Sequence, residues 1–231
     1  MTLLLVAHGT RRPGGVEMIG DLAARVSTLV GHRVQVAFVD VLGPTPSEVL
    51  SSSDEPAIVV PAFLSRGYHV RADLPAHVAA SGHPDVVVTP ALGPSVDVVR
   101  IVAEQLVNCG LRRGDSVILA AAGTSDPRAH ADLRTSAALL STLLGSPVAL
   151  GFVATGQPRL HESVRRARAR RGRRRVAVAS YLLADGLFQE RLRTCGADVV
   201  SAALGTHPGL ARLIAARFQT ALAGRAVAAS A

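Results

Sequence analysis

Apolar residues follow two rhythms along this chain, and the two alternate from end to end. Short runs with almost no polar interruption, Thr2 to Ala7, Val34 to Val39, Ala57 to Phe63 and Val86 to Thr89, predict four buried strands. Between them the spacing widens to that of a helix. Ile19, Leu22, Val26 and Leu29 form one stripe across Val16 to Val30. Thr45-Pro46-Ser47-Glu48 has the form of a capping box with proline at the first helical position, and opens a short helix. Ala72 to Ala80 and Ser95 to Cys109 read as two more, the second with Ser95 as its cap.

The same order then returns. Val117 to Ala121, Val148 to Val153, Val176 to Ser180 and Asp198 to Ser201 read as strands. Ala129 to Leu144, Arg159 to Arg170, Leu187 to Cys195 and Pro208 to Ala223 read as helices, and the tail after Gly224 is expected to fray. Such alternation predicts right-handed β-α-β units and parallel sheets covered on both faces. The expected fold class is α/β, with two tandem parallel-sheet domains, 1–112 and 113–231, and an active-site cleft between them. The boundary is placed near Leu111 to Asp115, where Gly110 and Gly114 flank charged residues.

The two halves are an internal repeat. Ala7-His8-Gly9-Thr10-Arg11-Arg12-Pro13 aligns with Ala121-Ala122-Gly123-Thr124-Ser125-Asp126-Pro127, and the same spacing aligns Phe38-Val39-Asp40 with Phe152-Val153-Ala154 and Pro44 with Pro158. Phe63-Leu64-Ser65-Arg66-Gly67-Tyr68-His69 aligns with Leu182-Leu183-Ala184-Asp185-Gly186-Leu187-Phe188. The glycines, prolines and apolar residues persist in both copies. His8, Asp40 and His69 do not: their counterparts are Ala122, Ala154 and Phe188. The frame is therefore structural, and the first half alone carries a polar set.

That set has a place in the expected topology. Ligands of open parallel sheets sit beyond the carboxyl ends of the strands. His8 follows the first strand, Asp40 ends the second and His69 lies just past the third. Two histidines and a carboxylate suit a divalent metal with open positions. A strand-end histidine can also be a capping or hydrogen-bonding residue, and a strand-end aspartate often caps its own turn. The loop from His8 to Gly15, with Arg11 and Arg12, offers backbone N–H groups and guanidinium groups to an anion, and Arg66 and Arg71 bracket His69. It is neither a Walker A loop nor a GxGxxG turn. The other histidines, at positions 32, 77, 83, 130, 161 and 207, are expected to be solvated.

Composition narrows the class. The chain has 231 residues and 48% hydrophobic content, enough for two small cores, and 3% aromatics, so those cores are aliphatic. Cys109 and Cys195 form no CxxC and suggest a reducing cytoplasm. The opening apolar run stops at His8 and reads as a strand rather than a signal peptide, and no apolar run reaches the roughly 18 residues of a membrane span. The net charge of +8 comes largely from the arginine run Arg165 to Arg175. That run has no interleaved aromatics, so it reads as a solvated surface rather than a nucleic-acid site.

His8-Gly9-Thr10-Arg11, followed by Phe63-Leu64-Ser65-Arg66-Gly67-Tyr68-His69 and then Asp73-Leu74-Pro75, resembles the sirohydrochlorin chelatases of the CbiX type, the class II chelatases. The resemblance covers the whole chain, since long members of that family carry two related halves of which one keeps the histidines. It implies a lyase-type enzyme that inserts Co²⁺ or Fe²⁺ into sirohydrochlorin for cobalamin or sirohaem synthesis. No ATP and no organic cofactor would be needed, and the chain would act in the cytoplasm as a monomer. His8 and His69 match the family's catalytic and metal-binding histidines. Asp40 stands where some relatives have an acidic residue, often Glu, and Thr10 keeps the hydroxyl of the family's usual serine. Thr10, Arg11, Arg12, Arg66 and Arg71 would bind the substrate's carboxylates. A non-catalytic tetrapyrrole or metal carrier would use the same residues, and a metal-dependent ester hydrolase is a third, more distant reading.

Overall fold

In the computed structural model, which describes residues 1–169 and 175–229, eight strands form two parallel sheets. The first has β1 (Thr2–Ala7), β2 (Val34–Phe38), β3 (Ala57–Pro61) and β4 (Val86–Val88) in the order β2-β1-β3-β4. The second has β5 (Ser116–Gly123), β6 (Val148–Thr155), β7 (Val176–Ser180) and β8 (Val199–Val200) in the matching order β6-β5-β7-β8. Every residue of β1, β3 and β7 is buried, which is why those strands read as unbroken apolar runs. The helices are α1 (Pro13–Val30), α2 (Pro46–Ser51), α3 (Leu74–Ala80), α4 (Val96–Asn108), α5 (Pro127–Leu144), α6 (Leu160–Ala169), α7 (Leu187–Arg193) and α8 (Pro208–Ala229).

Local chemistry sets their ends. Thr45 and Glu48 make the reciprocal capping box that opens α2. The side chains of Ser95 and Asp126 accept from Val98 N and Arg128 N at the starts of α4 and α5. Helices α1 and α5 both close on a left-handed glycine, Gly31 and Gly145. Residues His69–Asp73, expected to be partly helical, form a π-helical turn that runs into α3.

The repeat holds at the level of single hydrogen bonds. Phe38 N donates to Pro44 O at 2.9 Å, and Phe152 N to Pro158 O at 3.0 Å. Ala62 N donates to Val6 O at 2.7 Å, and Tyr181 N to Ala120 O at 2.8 Å. Leu92 N donates to Phe63 O and Leu204 N to Leu182 O, both at 2.9 Å.

Two expectations change. The compact units are not 1–112 and 113–231. One comprises Met1–Leu92 with Thr206–Ala231, the other Gly93–Gly205. Helix α4 packs on α5 and β7, and its repeat counterpart α8 packs on α1 and β3. Apolar periodicity marks where each repeat ends, but it does not say which sheet a terminal helix covers. Nor is the described part of the segment after Gly224 irregular: α8 continues to Ala229, and Arg225 makes a bidentate pair with Asp85 of the same unit. Of the arginine run, Arg170 to Arg174 lie outside the described residues. Among the described residues, no helix is long and apolar enough to cross a membrane.

Candidate active site

The order β2-β1-β3 puts the loop after β1 between the loops after β2 and β3. His8 leaves β1, and His69 opens the π-helical turn that follows β3. Their rings meet edge to face, with centroids 4.4 Å apart and planes at 82°. The edge of the sheet brings together what the chain separates.

Each ring is held by one nitrogen. His8 Nδ1 lies 3.1 Å from the carbonyl oxygen of Gly9. His69 Nδ1 lies 2.6 Å from Oδ2 of Asp73. Both partners can only accept, so both Nδ1 atoms carry the proton. Each Nε2 is left with its lone pair, the form in which imidazole ligates a metal. Phe63 stacks on His69 at 6.2 Å, and Tyr68 stands edge-on to it at 6.2 Å while remaining 63% exposed.

Gly9 makes the close approach possible. Its φ is +98°, and a Cβ there would overlap the carbonyl oxygen of Asp40. Asp40 N in turn donates to His8 O at 3.1 Å. In the second half Gly123, at φ +107°, stands the same way against the carbonyl of Thr155. The backbone of the site is therefore present in both halves, and its side chains differ. Ala122 and Phe188, the counterparts of His8 and His69, pack with Val153 against the aliphatic core of Ile118, Leu160, Val164 and Val178.

The remaining expected residues fall unevenly. Asp40 is exposed, and its Oδ1 accepts from Val41 N at 2.7 Å, which holds Val41 at a left-handed φ of 71°. No group of three or more His, Cys, Asp or Glu arranged to hold a metal ion occurs among the described residues. The structure thus pairs His8 with His69, while one carboxylate oxygen of Asp40 serves its own turn, as those of strand-end aspartates often do. Thr10 Oγ1 accepts from Arg12 N at 3.2 Å, so its hydroxyl shapes the loop. Arg11, Arg12, Arg66 and Arg71 are all exposed.

The sequence motifs alone do not place Asp73 in the site, although its spacing of four from His69 on a helical segment is a usable signal. The expectation of solvated histidines fails for His77, His83, His130 and His207, which are half-buried. His77 bridges Ser47 Oγ at 3.2 Å and Val39 O at 3.4 Å, and so ties α3 to α2 and to the end of β2. His130 packs on Phe152 with centroids 4.8 Å apart.

Comparison with known proteins is consistent across three kinds of match. The CbiX family model matches residues 2–109 and again 116–221, once per repeat. The sirohydrochlorin cobaltochelatase of Methanothermobacter thermautotrophicus is 34% identical over 90 residues, 35% of this chain and 62% of that protein. That of Methanopyrus kandleri is 30% identical over 80 residues, 32% of this chain and 56% of its own length. The matched region therefore spans less than two thirds of these curated relatives. Among solved structures, SirB from Bacillus subtilis with Fe³⁺ superposes with a TM-score of 0.80 over 95% of both chains at 20% identity. CbiX, described as the terminal enzyme for siroheme biosynthesis in denitrifying bacteria, gives 0.69 over 96% of this chain and 99% of its own at 22% identity.

Proposed function

The chain belongs to the CbiX family, and from that premise we propose that it is a sirohydrochlorin chelatase, inserting Co²⁺ or Fe²⁺ into the macrocycle without ATP. The observation that carries this reading is the pair His8 and His69, 4.4 Å apart, with both Nδ1 protons engaged. The curated relatives named above support it by their activity.

In this reaction both pyrrole N–H bonds break, metal–nitrogen bonds form, and the metal keeps its oxidation state. The incoming ion is a substrate. Two neutral imidazoles hold it with water in the other positions, a ligand set incomplete enough to be surrendered to ring nitrogens. As the ion passes to the ring nitrogens it frees the Nε2 lone pairs of His8 and His69, and each can then accept one of the two pyrrole protons and later release it to solvent. Arg11, Arg12, Arg66 and Arg71 attract and orient the substrate's carboxylates, as paired guanidinium groups do. The exposed ring of Tyr68 offers a flat apolar face beside the transfer point. Imidazole ligands suit cobalt and iron alike, so both ions are accepted. The chain works as a monomer in the cytoplasm.

The test is anaerobic addition of Co²⁺ or Fe²⁺ to sirohydrochlorin, followed by absorbance with and without the protein. Acceleration over the spontaneous rate is expected for both ions. A protein that binds both partners yet adds nothing to that rate is a carrier instead.

A further inference from the structure

We propose that Asp73 is a positioning residue for metal transfer, and that it acts by dictating which nitrogen of His69 carries the proton. The inference rests on the chelatase reading and adds to it a residue that touches neither metal nor macrocycle.

Three observations converge. Asp73 Oδ2 and His69 Nδ1 are 2.6 Å apart, a short bond of the charge-assisted kind. The two residues open and close the same π-helical turn, which is completed by Leu74 N donating to His69 O. Single π-helical turns are frequent at functional sites. Finally, Asp73 has helical dihedrals, φ −66° and ψ −49°, and joins the π-helical turn to α3 without a break, so its carboxylate is not called on to cap a helix start. The carboxylate is committed to His69 instead.

The consequence is specific to one of the two histidines. His8 owes its tautomer to the backbone carbonyl of Gly9, which no side-chain substitution removes. His69 owes its tautomer to a side chain. The pair is only partly buried, 33% exposed for His69 and 27% for Asp73, so the surrounding packing does not fix the ring alone. A carboxylate accepts and never donates, so it enforces Nδ1–H and leaves Nε2 open for the metal. A carboxamide of the same shape can donate its NH₂ to Nδ1 and move the proton to Nε2, where it blocks ligation.

This makes Asp73→Asn the discriminating variant. If Asp73 merely fills space, the isosteric amide is harmless. If it sets the tautomer, the amide is as damaging as Asp73→Ala. Two-bond ¹H–¹⁵N correlation spectra of histidine-labelled, metal-free protein read the tautomer directly, with His8 as internal reference. The expected result is Nδ1–H at His69 in the wild type and loss of that form in Asp73→Asn. The same variant should lose about 10- to 100-fold in kcat for sirohydrochlorin metallation, the usual cost of removing a histidine's outer partner. KM for the macrocycle should stay within about twofold, since Asp73 does not bind it. Asp73→Glu, which keeps the acceptor, should recover part of the rate. An Asp73→Asn protein that keeps the wild-type tautomer, or changes tautomer yet keeps the wild-type kcat, overturns the proposal. If the wild type itself does not accelerate metallation, the chelatase reading fails. The pairing is then judged by the spectrum and by Co²⁺ affinity, which the substitution lowers about tenfold or more if Asp73 positions the ring.

Discussion

His8 and His69 stand edge to face, 4.4 Å between ring centroids, at the carboxyl edge of one parallel sheet. Each is pinned through Nδ1 by an acceptor that cannot release a proton to it, Gly9 O for one and Asp73 Oδ2 for the other. Two imidazoles so arranged present two lone pairs and little else to an incoming ion. That arrangement suits the proposed reaction, in which the ion is held and then given away.

The arginines at the rim should govern the macrocycle more than the metal. Arg11→Ala and Arg66→Ala are expected to weaken sirohydrochlorin binding while leaving Co²⁺ binding near wild type. Because both residues are exposed, the loss should shrink as salt rises and screens their field. Absorbance titration at low and high salt checks this. Unchanged macrocycle affinity in both variants would reduce these side chains to a solvated rim.

Gly9→Ala should damage both stability and activity. The residue combines a φ of +98° with direct approach to Asp40 O, so a methyl group must either shift the β1 loop from the end of β2 or strain the backbone, at about 1–3 kcal/mol. Urea unfolding measures the first effect and the metallation rate the second. A variant equal to wild type in both would mean that the loop position is not set by this contact.

Phe218, fully buried on α8, tests the division into units. Phe218→Ala should cost about 3–5 kcal/mol. Because α8 packs on α1 and β3, the loss should appear as weakened amide protection in those two elements. Loss of protection confined to Gly93–Gly205 would contradict the assignment of α8 to the first unit.

Acid stability has a specific contributor in Asp198. The N–H of Val176 chiefly holds this carboxyl below its ordinary value of 3.8; desolvation opposes it, and the Arg168 and Arg175 guanidinium groups add to the lowering. A carboxyl whose folded value is depressed stabilises fully above the unfolded value. It loses that contribution as pH falls through the folded value. The wild-type urea midpoint should therefore drop more steeply than that of Asp198→Asn as pH falls below about 4. Parallel curves would show that the pair contributes nothing.

Much of this architecture is legible in the sequence because parallel strands buried on both faces leave unbroken apolar runs, as in Thr2–Ala7, and because the repeat doubles every signal. His8 and His69 stand out since the second copy keeps the backbone around Gly123 and discards the side chains. Three features are hidden, each for a physical reason. The exchange of α4 and α8 between units leaves no trace in periodicity, which reports an apolar face but not its partner. Asp40 has the right type and topology for a ligand, and that its Oδ1 also accepts from Val41 N is set by one residue's backbone dihedrals. His77 looks like one more surface histidine until the fold brings Ser47 and Val39 to it.

The central claim, that His8 and His69 carry metallation, is tested most directly by the anaerobic rate at which His8→Ala and His69→Ala insert Co²⁺ into sirohydrochlorin, with the spontaneous rate subtracted. Each variant should fold, because the second half accommodates Ala122 and Phe188 at the equivalent positions. Each should lose at least about tenfold in rate, a barrier rise of roughly 1.4 kcal/mol. Two folded variants that metallate at the wild-type rate would contradict the account.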